Sequence, residues 1–559
     1  MIGKNALLAK YQNHWFWGIA LLALFIELCF HVLLPISISN DSYGYIDLSR
    51  NLLRPNTSFE RSVGYPIFLR LTGLNLFDNL IPAILVQAAM AVAIPLIVFK
   101  SLVRFGLGYA VIGAFISCLY FYNFVMSLSV LTELAYVFSI AVYTFLLIRY
   151  FSEMSLRNLL LVIASCWLIA LVRMSGSLHF LSLLIGIGIY IFVQMASKYR
   201  ENMKIGLRHF FIAITVFISV SLVQQAITNR TASVVWPHFV FNWVYKDKST
   251  DNIHYGIIKP ENGPAAKKLY QAIERIVTES SAAFDTLKVS GTKKIQYLVP
   301  EASGKYSPES VKLLMDDLIF NNKHDLRSWQ IEGVLTNSSY GILGASNLLS
   351  NAIIEAFIIH PEVIVFRLIT VVQNRVWEFM TNGITLDIVS FPTAYHHQIP
   401  KMINDLPPAP PSQLSRNIFK QWAYDMFNHT GNAREDRDIY YPDRYPTTIA
   451  GVLKNINSDN LIGIGHYVGM LGTQIIRLCW LIIALGILLL PFTKHAALLG
   501  SLLSASFFPP VVSVFLSETD PRHLLMSSPV QVVTAIIVIY VLVDFLTRSK
   551  IQGKKVVSG

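Results

Sequence analysis

Residues 79–99 read NLIPAILVQAAMAVAIPLIVF, twenty-one positions without a charged side chain, followed by Lys100 and then Arg104. A helix that crosses the hydrocarbon core of a bilayer needs about 20 mostly apolar residues. This run meets that requirement, and nine others resemble it, near 14–36, 107–124, 128–148, 158–177, 178–196, 209–228, 463–490, 496–516 and 528–546. Short connections separate the runs between 107 and 196, so their edges are the least defined. The whole chain agrees with its runs. Of 559 residues, 53% are hydrophobic and 14% charged, with a mean hydropathy of +0.50. A soluble chain carries about 25% charged residues. The fold class predicted is therefore a predominantly α-helical, polytopic membrane protein with about ten transmembrane helices.

The basic residues are spaced as topology signals. One set of connections holds Lys4, Lys10, Lys100, Arg104, Arg149, Arg157, Lys198, Arg200, Lys204, Arg208, Lys494, Arg548, Lys550, Lys554 and Lys555, against only Glu153 and Glu201. The other set mixes both signs. The positive-inside rule then places both termini in the cytoplasm, in a plasma (inner) membrane. The first run lacks a small-x-small cleavage site and reads as a retained anchor. A net charge of +11 laid out in this way forms no stripe for nucleic acid. Cys29, Cys118, Cys166 and Cys479 all fall inside apolar runs, which suits packing better than a disulfide or a metal cluster.

Two segments face the opposite, extracytoplasmic side. Residues 1–228 form a membrane module whose first outer loop, 37–78, is too long for a turn. Residues 229–462 are long enough for an α or α+β domain. Residues 463–559 supply the last helices and a basic tail. Within 229–462, the stretch 352–379 has helical apolar spacing broken by His360-Pro361, Arg367, Arg375 and Glu378. It is too charged to span and predicts a helix lying in the interface.

Ionisable residues kept at the membrane boundary are functional hypotheses by default, because insertion there costs roughly 2.5–3.5 kcal/mol each. Asp41 follows the first run, and Asp41, Asn40 or Ser39 also suits the cap of a helix containing Tyr45 and Leu48. Arg61 leads Arg61-Ser62-Val63-Gly64-Tyr65-Pro66, placed for a phosphate or for simple snorkelling. Glu133 and Arg173 lie near the outer ends of their runs, as a structural pair or as walls of a polar cavity. Arg522 and His523 sit in a short loop that suits either a phosphate or a solvated turn. His396-His397 and the trio Asp436, Asp438 and Asp443 lack metal-site spacing. There is no Walker loop and no Gly-x-Ser-x-Gly elbow.

Taken in order, Asp41-Ser42-x-x-Tyr45, Arg61-x-x-Gly64-Tyr65-Pro66, Leu131-Thr132-Glu133-Leu134, Arg173-x-Ser175-Gly176 and the late Arg522-His523 resemble a family. They look like the membrane glycosyltransferases of the C-type fold (GT-C). The likeness is strongest to bacterial enzymes that use polyprenyl-phosphate sugars, such as the lipid A aminoarabinose transferases and the protein mannosyltransferases. It covers residues 1–180, thins at 510–546 and is absent over 229–460. Met174 replaces the family's usual proline and His523 its tyrosine, and Asp47 is a loose match to its second acid. The resemblance implies inverting sugar transfer from a polyprenyl-phosphate donor to a glycan or lipid-linked acceptor hydroxyl, with Asp41 as general base. Tyr45, Arg61, Tyr65, Glu133, Arg173, Arg522 and His523 would bind substrate. No cofactor is required by any motif, though a divalent cation is compatible with the chemistry. The alternatives are an O-antigen polymerase or ligase, a flippase for lipid or glycan, and a non-catalytic assembly scaffold. Inverted repeats, expected of a transporter, are not evident.

Overall fold

A computed structural model describes residues 2–33, 40–50, 52, 61–74, 80–196, 200–228, 231–245, 255–289, 293–320, 328–370, 458–516 and 526–557. The described residues contain helices and no strand. Nine of these helices are long and apolar enough to cross a membrane. The protein is a predominantly α-helical, multi-pass membrane protein.

The N-terminal bundle contains α1 (Ile2–Leu33), α2 (Asn40–Arg50), α3 (Gly64–Leu71), α4 (Ile81–Leu102), α5 (Leu107–Leu119), α6 (Tyr122–Met126), α7 (Thr132–Ser152), α8 (Leu156–Val172), α9 (Leu178–Ala196) and α10 (Arg200–Thr228). All seven apolar runs predicted over 14–228 contain helices, but two are short. α5 has 13 residues, a length of about 20 Å, less than a bilayer core. The expected run 107–124 is broken at Tyr120–Phe121 and resumes in the five-residue α6, all of whose residues are buried. α8 has 17 residues and ends before Arg173, not at 177. Its start is fixed by Ser155, whose hydroxyl accepts from the Asn158 N–H at 3.3 Å, and by the Asn158 amide, which donates to the Glu153 carbonyl at 2.9 Å. These bonds make the α7–α8 turn tight.

Three C-terminal helices complete the bundle. They are taken here after α11 (Ala232–Tyr245), α12 (Pro264–Glu279), α13 (Ser281–Lys288), α14 (Lys293–Gln296), α15 (Pro308–Phe320), α16 (Ser328–Thr336), α17 (Gly341–Ile359) and α18 (Glu362–Thr370), and are α19 (Ser458–Leu489), α20 (Ala496–Leu516) and α21 (Ser528–Val557). α20 lies along α9, where the Ser501 hydroxyl donates to the Ser182 carbonyl at 2.7 Å. A Cβ at Gly186 would stand 2.6 Å from that of Ser501. Small residues and interhelical hydroxyls of this kind are what hold helices together where lipid competes for every apolar contact.

α11 to α18 form a second unit with its own core, centred on Trp243, Phe241, Leu269, Ile273, Leu349 and Ile353. α12 shows the ordinary amphipathic pattern: Leu269 and Ile273 are buried, and Lys267 and Lys268 are exposed. The Glu355 carboxylate of α17 caps α12 by accepting from the Ala265 and Ala266 N–H groups at 3.2 and 2.7 Å. The unit meets the bundle where Val234 and Ile342 pack on Met174. The helix expected over 352–379 is two helices. α17 begins earlier, at Gly341, the chain breaks at His360-Pro361, and α18 ends at Thr370; residues 371–379 lie outside the described residues. The proline lacks the N–H that α17 needs to continue, so the apolar spacing crosses a break that periodicity alone cannot detect.

Candidate functional site

The first loop is keyed into the bundle by three residues, Ser62, Gly64 and Tyr65. The Ser62 hydroxyl donates to the Val172 carbonyl at the end of α8. Gly64 opens α3 against the same backbone, where an added Cβ would lie 2.6 Å from the Leu171 carbonyl carbon and oxygen. Only glycine permits that approach. Tyr65 is fully buried, and its hydroxyl donates to the Gln87 side-chain oxygen of α4 at 2.6 Å. The Gln87 amide then donates to the Ser127 and Ser129 carbonyls at 2.8 and 3.0 Å. Irregular backbone is tolerated inside a membrane protein only where its polar groups are satisfied. Gln87 therefore stabilises the segment between α6 and α7 and anchors Tyr65 at once.

Above this anchor lies Arg61. Its guanidinium carbon is 4.7 Å from the centre of the Tyr45 ring, a cation–π distance. Gly44 of α2 lets the two elements approach, since a Cβ there would strike the Arg61 side chain. Tyr45 meets Tyr65 edge-on with centroids 5.4 Å apart. The structure thus brings Tyr45, Arg61 and Tyr65 into one cluster.

The residue after Val172 is Arg173, so the contacts of Ser62 and Gly64 place the first loop beside the second cluster. Arg173 is extended, and its carbonyl accepts from the Gly176 N–H at 2.8 Å. Gly176 packs so closely that a Cβ would lie 2.6 Å from the Ile169 carbonyl. This tight turn presents the Arg173 side chain to Glu133, with Nη1 3.6 Å from Oε1. Glu133 stands in the first turn of α7, where the helix dipole favours a carboxylate. The Arg173 guanidinium carbon lies 5.9 Å from the Tyr136 ring centre. Below it His179 is fully buried, its Nε2 3.5 Å from the Tyr136 hydroxyl, while the Tyr143 hydroxyl donates to its carbonyl at 3.0 Å.

Asp41 and Asp47 both lie in α2, with side chains outside the described residues. Arg522 and His523 also lie outside them, as do His396, His397, Asp436, Asp438 and Asp443. Among the described residues no group of three His, Cys, Asp or Glu side chains is assembled to hold a metal. Sequence reading missed Gln87, Tyr136, His179 and a pair on α1, buried Glu27 and partly exposed His31, whose carboxylate and Nε2 are 2.9 Å apart. Glu27 and Gln87 carried a legible signal, being polar groups inside apolar runs. His179, an ionisable residue at the start of the run 178–196, carried one too, whereas Tyr136 carried none, because aromatic residues near a membrane boundary are ordinary.

No family model matches the sequence, and no curated protein matches it. Among solved structures the chain is similar to the oligosaccharyltransferase of Archaeoglobus fulgidus, crystallised with an acceptor peptide containing the NVT sequon tethered through a disulfide bond. The identity is 11% and the TM-score 0.31, over 94% of this chain and 56% of that one. The chain spans little more than half the length of that enzyme. So distant a likeness carries no argument about chemistry, which rests on the side chains themselves.

Proposed function

We propose that this chain is a membrane glycosyltransferase of the C-type fold, moving a sugar from a polyprenyl-phosphate donor to an acceptor hydroxyl at the extracytoplasmic surface. Asp41 acts as general base. It takes the proton of the acceptor hydroxyl as that oxygen bonds to the anomeric carbon. The bond from that carbon to the phosphate oxygen breaks, and its electron pair leaves with the lipid phosphate. Attack and departure on opposite faces invert the anomeric centre. Negative charge grows on the phosphate as the bond breaks, and Arg61, Arg173 and Arg522 are assigned to it. Arginine suits this role because its planar fork stays charged and accepts two phosphate oxygens at once. Glu133 holds the Arg173 guanidinium in place before the donor arrives.

One observation carries the reading. Two segments 110 residues apart in sequence, Ser62 and Val172, are bonded so that the Arg61 loop and the Arg173 turn share one junction. A purely snorkelling Arg61 has no use for such a join. The test is transfer by the purified protein in lipid nanodiscs, given a polyprenyl-phosphate sugar. Asp41→Asn is expected to reduce transfer by about 10²–10⁴-fold, the usual worth of a positioned base, while donor binding persists. Full activity in that variant rejects the assignment of the base. Failure of the wild-type protein to transfer any such sugar, while moving lipid-linked glycan across the membrane, favours the flippase alternative.

A further inference from the structure

α18 has its polarity inside out. Arg367 is 2% exposed, its guanidinium carbon 4.9 Å from the ring centre of the fully buried Trp243. Beyond Glu362 in its first turn, the side chains facing away from the core are apolar: Val365 is 56% exposed, Phe366 57% and Ile369 51%. The preceding helix ends in the same way, with Ile358 74% exposed. A helix facing water puts charge outward and apolar side chains inward. α12 of the same unit does so. The described residues show the opposite arrangement in the bundle, on membrane helices such as α10, where Phe211 is 64% and Leu222 60% exposed while His209 and Gln224 are buried. α18 follows the rule of the helices that face lipid.

We infer that the second unit is seated in the membrane surface through the end of α17 and the outward face of α18, with lipid acyl chains as the occupant. Three further observations choose lipid. α17 is apolar enough to qualify by length and composition as a membrane span. The unit is held to the bundle where Ile342 and Val234 pack on Met174, at the start of the membrane-crossing stretch Met174–Ala196, so a bilayer lies beside it. Finally, a cavity of about 800 Å³ between α12 and α17 is lined by Ile354, Ile358 and Ile359 together with Lys268, with Glu355 also in the lining but engaged in capping α12. An apolar patch rimmed by a cation suits the boundary between acyl chains and anionic headgroups. Arg367 is then a peg: its stacking on Trp243 holds α18 to the core while every larger outward side chain is left for the membrane.

The inference is independent of the transfer reaction and is tested without it. Val365→Cys and Phe366→Cys, each in the full-length protein, are labelled with an environment-sensitive fluorophore, with unsubstituted protein as the blank for the four native cysteines. Lys305→Cys, at an exposed turn of the same unit, serves as the control. The proteins are placed in nanodiscs of phosphatidylethanolamine and phosphatidylglycerol, some of the lipid carrying a nitroxide on its acyl chain. At 365 and 366 the emission should shift to the blue and lose most of its intensity to the nitroxide, whereas at 305 neither should occur. Lack of quenching at both positions overturns the inference. So does a photo-crosslinker at position 366 that joins to residues 371–457 or to a second copy of the chain in place of lipid.

Discussion

The bundle and α12 of the second unit expose opposite kinds of residue around cores that are both mainly apolar. In the bundle, Glu27, Gln87 and His179 lie inside and Phe211, Leu222 and Ile227 point out. In α12 of the second unit, Leu269 and Ile273 lie inside and Lys267 and Lys268 point out. The difference shows which solvent each helix was built for. It also changes what holds the interior together. Lipid gives no reward for gathering apolar side chains, so the bundle relies on glycines, hydroxyls and hydrogen bonds between helices. The second unit relies on apolar burial in water. α18 belongs to one unit by position and to the other by pattern.

The sharpest way to break this contrast is Gln87→Ala. It strands the Tyr65 hydroxyl and the Ser127 carbonyl, at about 1–3 kcal/mol for each unsatisfied group, while the Ser129 carbonyl keeps the Leu131 N–H at 2.8 Å. Thermal unfolding in nanodiscs should show a loss of several kcal/mol, whereas Lys267→Ala on exposed α12 should stay within about 0.5 kcal/mol. Similar losses for the two variants would undo the contrast. Glycine substitutions should sharpen it by sign. Gly64→Ala meets backbone at 2.6 Å and should cost about 1–3 kcal/mol, with transfer lost as the Arg61 loop is pushed off α8. Gly333→Ala in α16 meets nothing within 4 Å and should stabilise the protein by up to about 1 kcal/mol.

A smaller effect is expected at the Glu133–Arg173 pair. Glu133→Gln keeps the shape and removes the charge, at about 1 kcal/mol. Its clearer signature is a weaker apparent affinity for donor lipid, read from the concentration dependence of transfer, if Arg173 binds the phosphate. The smallest belongs to the surface of the second unit. Asp285 accepts from the Tyr306 hydroxyl at 2.6 Å and pairs with Lys288 at 2.7 Å, and these partners hold its carboxyl below the usual range. A depressed carboxylate adds stability above its unfolded pKa of about 4 and loses it as pH falls through the folded value. Asp285 is half exposed, so the contribution is under about 1 kcal/mol. Cleavage near Tyr297 by an acid-active protease should rise on acidification below that range, and Tyr306→Phe should remove part of the change.

Much of the fold was legible in particular residues. Every apolar run predicted for the bundle contains a helix, because twenty apolar residues next to Lys100 and Arg104 leave the chain few alternatives. The errors fell where local pattern and packing part company. The run 107–124 breaks because α6 is folded back into the core, and Gln87 satisfies the irregular backbone that follows. The helix expected over 352–379 breaks at Pro361. Of the site, Arg61, Tyr65, Glu133 and Arg173 were visible as costly or punctuated residues. Gln87 stood in the stretch that decided the fold and passed as one of two polar residues, with Asn79, among nineteen apolar ones.

By itself the sequence determined which stretches of this protein enter lipid and which residues at their ends need explaining. Partition into a bilayer depends on the summed transfer energy of a single segment, so it can be read one segment at a time. Tertiary structure alone decided that Ser62 meets Val172, that Gly64 lies on the Leu171 backbone and that Arg367 hides beneath an apolar face. Such contacts join segments far apart in the chain. They depend on the shapes of two packed surfaces, and no stretch of sequence holds both.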